Sequence, residues 1–424
     1  MDYILKNGTV YVDGRLEKKD LAIVAGKVSF SNPVDLCHFS VVDCTNKFIF
    51  PGFIDAHVHL REPGFSYKET IKSGTMAAAS AGYSAVFSMP NLKPVPDSIE
   101  NLKVQTDIIK KDAVIKVYPY ASITVGQKGE ELSDIDALSR CVLAFSDDGV
   151  GVQSEEMMKK AMLLAKRNDK FIVAHCEDNS LLNGGYIHDG EYAKAHGHKG
   201  ICSASEYEQV ERDLELAKEI GVKYHVCHLS TKESVSAIRK AKAKGVNVTC
   251  ETGPHYLLFD DSMLIDDGAY KMNPPIRAKE DRFALIEGIK DGTVDMIATD
   301  HAPHSMEEKS MGLKSINGIV GLETAFSVLY TKLVKGGEIS LEHLIKIMSE
   351  NPSKRFNLDI EIKEGALANL TVFDLDNEYE IDSNNFKSKG KCSPFNGWKV
   401  FGKCLINFND GKIVYSDDKF YKEN

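Results

Sequence analysis

The residues best suited to chemistry stand in the stretch 49–64, where two histidines follow an aspartate at alternating positions. Asp55, His57 and His59 come directly after the apolar run 48–54. Residues two apart in an extended strand point to the same side, so His57 and His59 face one way together. Two adjacent imidazoles at a strand end can bind a divalent metal through neutral nitrogens. The alternative is a pair of ordinary histidines on a solvated strand.

Other apolar runs of the sequence also end in histidine or aspartate. Each of these runs predicts a β-strand, and most are followed by a segment of helical period. In a barrel of alternating strands and helices, the carboxyl ends of the strands meet at one mouth, where the active site lies. We therefore expect four histidines and two aspartates to converge there: His57, His59, Asp148, His175, His228 and Asp300.

The kinds of ligand indicate the metal. Imidazoles and carboxylates without thiolate suit zinc in an open catalytic site, with manganese or cobalt as chemical substitutes. Six ligands exceed what one tetrahedral zinc needs, so we expect one or two zinc ions, with two sharing a bridging carboxylate as the natural interpretation. Such a site lowers the pKa of bound water toward ~7 and polarises a carbonyl, as the hydrolysis of an amide requires.

The elements that must position these residues are eight predicted strands with helices between most of them. The eight units match the size of a (β/α)₈ barrel. The strands are predicted at residues 48–57, 84–89, 115–123, 141–146, 171–175, 224–228, 246–251 and 295–299. The helices are predicted at residues 70–81, 99–111, 155–168, 205–220, 232–244 and 282–291, with two more at 322–334 and 341–348.

Both ends of the chain have the short strands and turns of a small β unit. Asp13-Gly14 and Asp410-Gly411 are turn sequences between such strands. We therefore expect a β-sandwich domain made of residues 1–50 and 360–424, beside a barrel domain of residues 51–359. Its strands are predicted at residues 3–5, 9–12, 21–24 and 28–30, and again at 366–375, 400–408 and 412–415.

Composition limits the classes of protein. With 424 residues, 43% of them hydrophobic, the chain can bury a large core. No run approaches the roughly 20 apolar residues of a membrane span, and the first residues do not resemble a signal peptide, so we expect a cytoplasmic protein. Nine scattered cysteines suit a reducing compartment. The net charge of -10 argues against nucleic-acid or anionic-membrane partners.

Longer motifs around these residues carry a family resemblance. They are Asp-x-His-x-His-Leu-Arg-Glu-Pro-Gly at 55–64, Met-Pro-Asn at 89–91, His-Cys-Glu-Asp at 175–178, Asn-Pro-Pro-Ile-Arg at 273–277, Thr-Asp-His-Ala-Pro-His at 299–304 and Gly-Ile-Val-Gly-Leu-Glu-Thr at 318–324. Over nearly its whole length the sequence resembles dihydroorotase of the long bacterial (class I) type, in the amidohydrolase superfamily.

The resemblance implies a reaction and a set of metal ligands. The reaction is the reversible hydrolysis of L-dihydroorotate to N-carbamoyl-L-aspartate in pyrimidine biosynthesis. Asp300 would also act as the catalytic general base and acid. The implied ligands are His57, His59 and Asp300 for one zinc, His175 and His228 for the other, and Asp148 between them.

The resemblance also implies contacts to the substrate. A planar guanidinium fork is well shaped for the substrate carboxylate. Family members tend to have Pro-Phe-Gly where this chain has Ile316-Asn317-Gly318. We expect residues 305–317 to form a mobile lid, with Gly312 as its hinge. The implied contacts are Arg61, Asn91 and His304 to the carboxylate, Asn273 and the backbone at Asn317 and Gly318 to the ring, and His59 beside the substrate.

The sequence leaves several alternative interpretations open. Arg61 could form a surface ion pair with Glu62, and Asn273 could cap a turn. A hydantoinase or allantoinase would share the barrel and the metals, but it usually bridges them with a carboxylated lysine, which residues 141–146 lack. A non-catalytic scaffold for aspartate transcarbamoylase would be expected to lose metal ligands. Beyond a small-molecule substrate, a homodimer and an association with that transcarbamoylase stay open.

Overall fold

The structure is a computed structural model that describes residues 1–31 and 38–422. Most strands are short, and they fall in three stretches of the chain. In chain order they are β1 (Asp2–Lys6), β2 (Thr9–Val12), β3 (Arg15–Lys18), β4 (Leu21–Val24), β5 (Lys27–Ser29), β6 (Phe39–Asp43), β7 (Phe48–Pro51), β8 (Phe53–Val58), β9 (Tyr83–Ser88), β10 (Lys116–Pro119), β11 (Ala144–Phe145), β12 (Phe171–Ala174), β13 (Ile187–His188), β14 (Gly200–Ile201), β15 (Lys223–Val226), β16 (Val248–Thr252), β17 (Met296–Ile297), β18 (Leu370–Asp374), β19 (Tyr379–Glu380), β20 (Lys399–Val400), β21 (Lys403–Asn409) and β22 (Lys412–Ser416).

Helices fill most of the intervals between β8 and β18. The α-helices are α1 (Ile71–Ser80), α2 (Ile99–Asp112), α3 (Ile135–Leu138), α4 (Glu155–Arg167), α5 (Glu191–His196), α6 (Ala204–Ile220), α7 (Lys232–Ala243), α8 (Pro254–Leu258), α9 (Lys279–Lys290), α10 (Ala325–Leu329), α11 (Leu341–Ile345) and α12 (Asn351–Phe356). The π-helical segments Tyr330–Val334 and Lys346–Glu350 continue α10 and α11. Short 3₁₀ turns lie at Val125–Gln127, Asn179–Leu181, Asp261–Met263, Gly268–Tyr270, Gly312–Lys314 and Ser383–Asn385.

Eight strands pair in parallel, in the order β8–β9–β10 and β11–β12–β15–β16–β17. Two single parallel bridges link these groups: Ala121 pairs with Phe145, and Val58 pairs with His301. The pairings therefore run from β8 through β17 and back to β8. Because the strands are parallel, their carboxyl ends lie at one edge, where residues far apart in sequence come together.

Strands from both ends of the chain share sheets. The order in one sheet is β22–β21–β18–β7–β2–β3, and in the other β5–β4–β1–β6. Ile49 in β7 lies opposite Val372 in β18. Tyr3 and Phe408 pack edge to face, with ring centroids 5.1 Å apart, in an apolar core that both sheets contribute to. This core is separate from the one that surrounds the parallel strands.

The strand predicted at residues 48–57 is wrong in one respect, because it is two strands. The chain bends at Gly52, whose N–H donates to the Asn369 carbonyl, while the N–H of Phe53 donates to the Gly82 carbonyl. A Cβ atom at Gly52 would lie 1.8 Å from the Ser84 hydroxyl oxygen, so the crossing requires glycine. β7 therefore belongs to the sheet of the chain ends, and β8 belongs to the parallel set.

Aromatic packing ties the two sets of strands together at this bend. Phe53 in β8 stacks on Phe326 in α10 with centroids 5.1 Å apart, and Phe326 lies 4.5 Å from Phe373 in β18. Phe50 in β7 lies 5.7 Å from Phe373. Such pairs stabilise a contact beyond the apolar area they bury. Within the described part of the chain, no helix has the length and apolar character needed to cross a membrane.

Candidate active site

The mouth formed by the carboxyl ends of the parallel strands holds the six strand-end residues expected from the sequence. All six are buried. The backbone at His228 and Asp300 has φ of +32° and +48°, a conformation that is uncommon for non-glycine residues. The residues are His57 and His59 at the end of β8, Asp148 after β11, His175 after β12, His228 after β15 and Asp300 after β17.

Asp148 lies at the centre of this group. Its Oδ1 atom is 3.4 Å from His57 Nε2 and 3.5 Å from both His175 Nδ1 and His228 Nε2. Its Oδ2 atom is 3.3 Å from His59 Nε2. Burial alone would raise the pKa of this carboxyl, but the charge of His57 and the close approach of the other imidazoles hold it well below its usual range. Asp148 is therefore a carboxylate shared among the four histidines.

Asp300 approaches the same histidines from the other side. Its Oδ1 atom lies 3.0 Å from His59 Nε2 and 3.4 Å from His57 Nε2. Burial alone would raise the pKa of Asp300, but the charge of His57 and the close contact with His59 lower it below its usual range. The group is therefore an ionised carboxylate at neutral pH.

The outer nitrogens of His57 and His59 are held by other side chains. His57 Nδ1 donates to Glu251 Oε1 at 3.0 Å, and His59 Nδ1 donates to Asn91 Oδ1 at 2.8 Å. His175 Nε2 lies 3.5 Å from a carboxylate oxygen of Glu177. A histidine whose outer nitrogen carries the proton presents an unprotonated inner nitrogen.

The inner atoms have the properties of metal ligands. His175 Nδ1 and His228 Nε2 lie 2.9 Å apart. His57 Nε2 and Asp148 Oδ1 are buried and have no hydrogen-bond partner among the residues that the structure describes. Two groups of side chains, His57 with Asp148 and His228, and His57 with His59 and Asp300, bring one ligand atom each within 4.8 Å of one another. The donor set fits a divalent metal.

Sequence reasoning missed Glu251, which connects two histidines among the parallel strands. Its second oxygen accepts from His225 Nε2 at 3.1 Å, and His225 Nδ1 lies 2.8 Å from the Thr249 hydroxyl. Burial would raise the pKa of Glu251, but the hydrogen bonds from His225 and His57 lower it to about 2. The sequence did contain one indication of this role: Glu251 lies in an apolar predicted strand, and a buried carboxylate must have hydrogen-bond partners.

Asp55 is a second carboxylate whose role the sequence did not define. It accepts from the backbone N–H of His57 at 3.0 Å and from the Thr299 hydroxyl at 2.6 Å. Complete burial raises its pKa to about 7. Asp55 thereby connects the strand that holds His57 with the chain just before Asp300.

Arg61 is buried, and it contacts residues near the end of the motif at 299–304 rather than Glu62. Its Nε donates to the Pro303 carbonyl at 3.3 Å, and its NH2 group lies 3.1 Å from His304 Nε2. Burial and the charges of Arg61 and Lys68 lower the pKa of His304 to about 3, so the imidazole is neutral. The surface ion pair considered for Arg61 is thus not formed.

Asn273 lies at the opposite wall of the same cavity. Its Nδ2 donates to both carboxylate oxygens of Glu177, each at 3.0 Å. Its Oδ1 is buried and has no partner in the described chain. Asn273 is therefore more than a turn cap, because it presents a free acceptor beside the histidine cluster.

Asp147 points away from this cluster. Its carboxylate accepts from the backbone N–H of Ile123 at 2.8 Å and from the Thr124 hydroxyl. Burial raises its pKa to about 6. Of the two adjacent aspartates, only Asp148 faces the histidines.

The cavity above the cluster has a volume of about 200 Å³. It is open to solvent and brings together nearly all residues singled out in the sequence; His57 lies buried beneath it. The lining includes His59, Arg61, Asn91, Asp148, His175, His228, Asn273, Asp300, His304, Asn317 and Gly318.

Comparison with known proteins identifies the family. The family profile described as "Dihydro-orotase-like" matches residues 46–234. A dihydroorotase of Fusobacterium nucleatum is 50% identical over 418 residues, which cover 98% of each chain. A dihydroorotase of Listeria monocytogenes is 49% identical, covering 98% of this chain and 99% of its own. The chain belongs to the dihydroorotase family.

Solved structures of other cyclic amide hydrolases have the same fold as this dihydroorotase-family chain. An L-hydantoinase (dihydropyrimidinase) from Arthrobacter aurescens has a TM-score of 0.88 at 25% identity, covering 100% of this chain and 98% of its own. A dihydropyrimidinase from Brevibacillus agri has a TM-score of 0.87 at 24% identity, covering 99% and 96%. The fold is thus the mixed α/β fold of these hydrolases.

Proposed function

We propose that this protein catalyses the reversible hydrolysis of L-dihydroorotate to N-carbamoyl-L-aspartate, a step of pyrimidine biosynthesis. One observation carries the proposal: a single cavity is lined by Arg61 and His304 together with the cluster of histidines and aspartates. Dihydroorotate has a carboxylate attached to a ring with a cyclic amide, so it can use both walls of the cavity. Membership of the dihydroorotase family supports this substrate.

We propose zinc as the metal, with two ions. A divalent ion bound here would supply an activated water and polarise the ring carbonyl. The convergence of imidazole and carboxylate atoms without a thiolate among the proposed ligands supports zinc in a catalytic site. The proposed ligands are His57, His59 and Asp300 for one ion, His175 and His228 for the other, and Asp148 for both.

Asp300 moves the proton in this proposal. In the direction of hydrolysis it accepts the proton of the attacking water and passes it to the departing ring nitrogen. The lowered pKa of Asp300 keeps it ionised, as a base must be at the start of that direction. In the direction of ring closure the same steps run backwards, so Asp300 begins protonated.

The other residues bind and orient the substrate. Arg61, Asn91 and His304 bind the carboxylate, for which the guanidinium offers paired N–H donors. The free Oδ1 of Asn273 accepts a ring N–H, and the backbone at Asn317 and Gly318 contacts the ring edge. His59 lies between the two walls, held by Asn91.

We also propose the domain arrangement and the setting of the protein. Residues 51–359 form a (β/α)₈ barrel, and residues 1–50 and 360–424 form a β-sandwich domain. The parallel pairing from β8 to β17 and the mixed sheets of the chain ends support this division. The protein acts on small molecules in the cytoplasm. A homodimer and an association with aspartate transcarbamoylase stay predictions.

The substrate is tested by measuring the hydrolysis of dihydroorotate, hydantoin and allantoin side by side with zinc-loaded protein. We expect dihydroorotate to be hydrolysed with the highest kcat/KM, because it alone among the three carries a carboxylate on the ring for Arg61. A higher kcat/KM for hydantoin or allantoin would contradict the proposal and favour the activity of the hydantoinase-like neighbours.

The role of Asp300 is tested by Asp300→Asn. We expect turnover to fall by at least the ~10²-fold that follows loss of a general acid or base. Circular dichroism and thermal unfolding establish that the variant is folded. Near wild-type turnover with unchanged metal content would remove Asp300 from the proton transfer.

A further inference from the structure

The imidazole of His304 lies between two cationic side chains. Arg61 NH2 is 3.1 Å from its Nε2, and Lys68 Nζ is 3.2 Å from its Nδ1. The side chains of His304 and Lys68 are only 5% and 12% exposed. A neutral imidazole has one nitrogen that accepts and one that donates. Only one of the two cations can therefore donate to the ring at a time.

Glu308 supplies the complementary partner on the Nδ1 side. Its Oε2 lies 3.2 Å from His304 Nδ1, and its Oε1 lies 2.9 Å from Lys68 Nζ. The Tyr67 hydroxyl and the Ser305 N–H, each at 3.1 Å, also donate to this carboxylate and fix its position. Nδ1 thus faces an acceptor, Glu308, and a donor, Lys68, at nearly equal distances.

The two tautomers of His304 suit different partners, and only the Nδ1–H form is fully partnered within the described residues. With the proton on Nδ1, the ring donates to Glu308 and accepts from Arg61 at Nε2. With the proton on Nε2, the ring accepts from Lys68 at Nδ1, and its Nε2–H needs an acceptor in place of the donor Arg61. A carboxylate only accepts hydrogen bonds, so it can bond to His304 only in the second form.

We propose that Lys68 and Glu308 are positioning residues that let His304 change tautomer when a carboxylate enters the cavity. Glu308 holds the Nδ1–H form in the empty site, where Arg61 donates to Nε2. When Arg61 turns to the carboxylate, Lys68 stabilises the Nε2–H form, which donates to the same carboxylate. Solvent that reaches Glu308 takes the Nδ1 proton and another proton is bound at Nε2, so no net proton is gained or lost.

This inference rests on the proposed function, because it takes the carboxylate to bind between Arg61 and His304. It adds a prediction that the reaction alone does not make. Lys68 does not contact the substrate, yet its loss should impair only ligands with a carboxylate. 5,6-Dihydrouracil is the matched ligand, since it is the same ring without that group.

Lys68→Met tests the inference, with Lys72→Met as control. Lys72 is an exposed lysine on α1, so its replacement by Met removes the same charge near the mouth. We expect Lys68→Met to raise KM for dihydroorotate about tenfold, the effect of one net hydrogen bond of ~1.4 kcal/mol, with kcat little changed. Hydrolysis of 5,6-dihydrouracil should not change, and Lys68→Arg should restore part of the loss. Unchanged KM in Lys68→Met would overturn the proposal.

The tautomer is read directly by ¹⁵N NMR of protein labelled at histidine, with His304→Gln to assign the signal. Orotate, a planar ring acid, serves as the probe. We expect the wild-type proton to move from Nδ1 to Nε2 when orotate binds, and we expect a smaller shift in Lys68→Met. The same tautomer with and without orotate would overturn the inference. If wild-type protein neither binds orotate nor hydrolyses dihydroorotate, the proposed function has failed instead.

Discussion

His57 Nε2 and Asp148 Oδ1 lie 3.4 Å apart at the floor of the cavity, and within the described residues neither atom has a hydrogen-bond partner. Buried polar atoms are almost always paired in native proteins. With a metal bound, His57 would carry its single ring proton on Nδ1, given to Glu251, and both atoms would then offer lone pairs to the ion. A cation between them accounts for both atoms at once.

Asp148→Ala should therefore lower the metal content by at least one ion per chain. Asp147→Asn is the matched control, because Asp147 faces Ile123 and Thr124; it should lose stability by about 1–3 kcal/mol but keep its metal. Metal content after dialysis and urea unfolding measure the two effects. Reconstitution should not depend on bicarbonate, since no lysine lies in residues 141–146. A requirement for bicarbonate would contradict the assignment of Asp148 as the bridge.

Glu251→Gln should weaken metal binding by the 10- to 100-fold that is typical of lost outer partners of a metal ligand. The amide can still meet His57, but it carries no charge to fix the ring proton on Nδ1. Competition with a chromogenic chelator measures the affinity. Asp213→Asn is the control: Asp213 is equally buried and accepts from the Tyr224 hydroxyl at 2.8 Å, but it contacts no proposed ligand. Equal losses of affinity in both variants would show a general effect of buried charge instead.

Arg61→Lys should lower kcat/KM for dihydroorotate by roughly 10- to 100-fold, the equivalent of one charge-assisted hydrogen bond. An ammonium cannot donate to a carboxylate through a planar fork, and it also loses the contact to the Pro303 carbonyl. Steady-state kinetics measure the change. If kcat/KM is unchanged, the substrate carboxylate is bound elsewhere.

Because of Lys309, substrate binding should become weaker at alkaline pH. Its ammonium donates to the carbonyls of Lys271, Ile316 and Gly318 at 2.8–2.9 Å, and this fixes the backbone of the cavity wall. Burial lowers the pKa of Lys309 from 10.5 to about 8. Above that pH the neutral amine has one donor fewer. The ionisable groups near it are Arg61, Asp267, Lys271 and Cys392.

We therefore expect KM to rise above pH ~8 in the wild type. Lys309→Met should have a high KM already at pH 7, and this KM should change less between pH 7 and 9. The effect of this titration on the stability of the fold has the opposite sign to its effect on substrate binding. Because the folded pKa lies below the unfolded one, burial of the charge costs stability below pH 8, and this cost falls as pH rises toward 10.5. A wild-type KM that stays flat to pH 9.5 would contradict the role of Lys309.

The strand-end residues could be predicted because parallel strands place their carboxyl ends together whatever the details of each strand. The lengths of the strands could not. The strand predicted at residues 295–299 is reduced to Met296–Ile297. At one end the Asp295 carboxylate accepts the Cys250 N–H at 2.8 Å, and at the other the Thr299 N–H donates to Asp55. Side chains there bond to the backbone beside the remaining ladder bonds of Asp295 and Ala298, which no periodicity reveals.

The partners of the site residues were also hidden from the sequence. Glu251 is more than 190 positions from His57, and Glu308 is 240 positions from Lys68. The role of each carboxylate becomes visible only when the folded chain brings it beside an imidazole. Motif spacing indicates which residues face the mouth, but which nitrogen of a histidine carries its proton depends on such distant contacts.

The pairing of β7 with β18 has a consequence for how the chain is made. β7 leads across Gly52 into the strand that carries His57, and one of its edges is covered by β2 soon after synthesis. The other edge is covered by β18, more than 300 residues later. At ribosomal rates this edge stays open for roughly 15 to 60 s. During that interval β7 has unpaired N–H and C=O groups, an open strand edge of the kind with which other chains can associate.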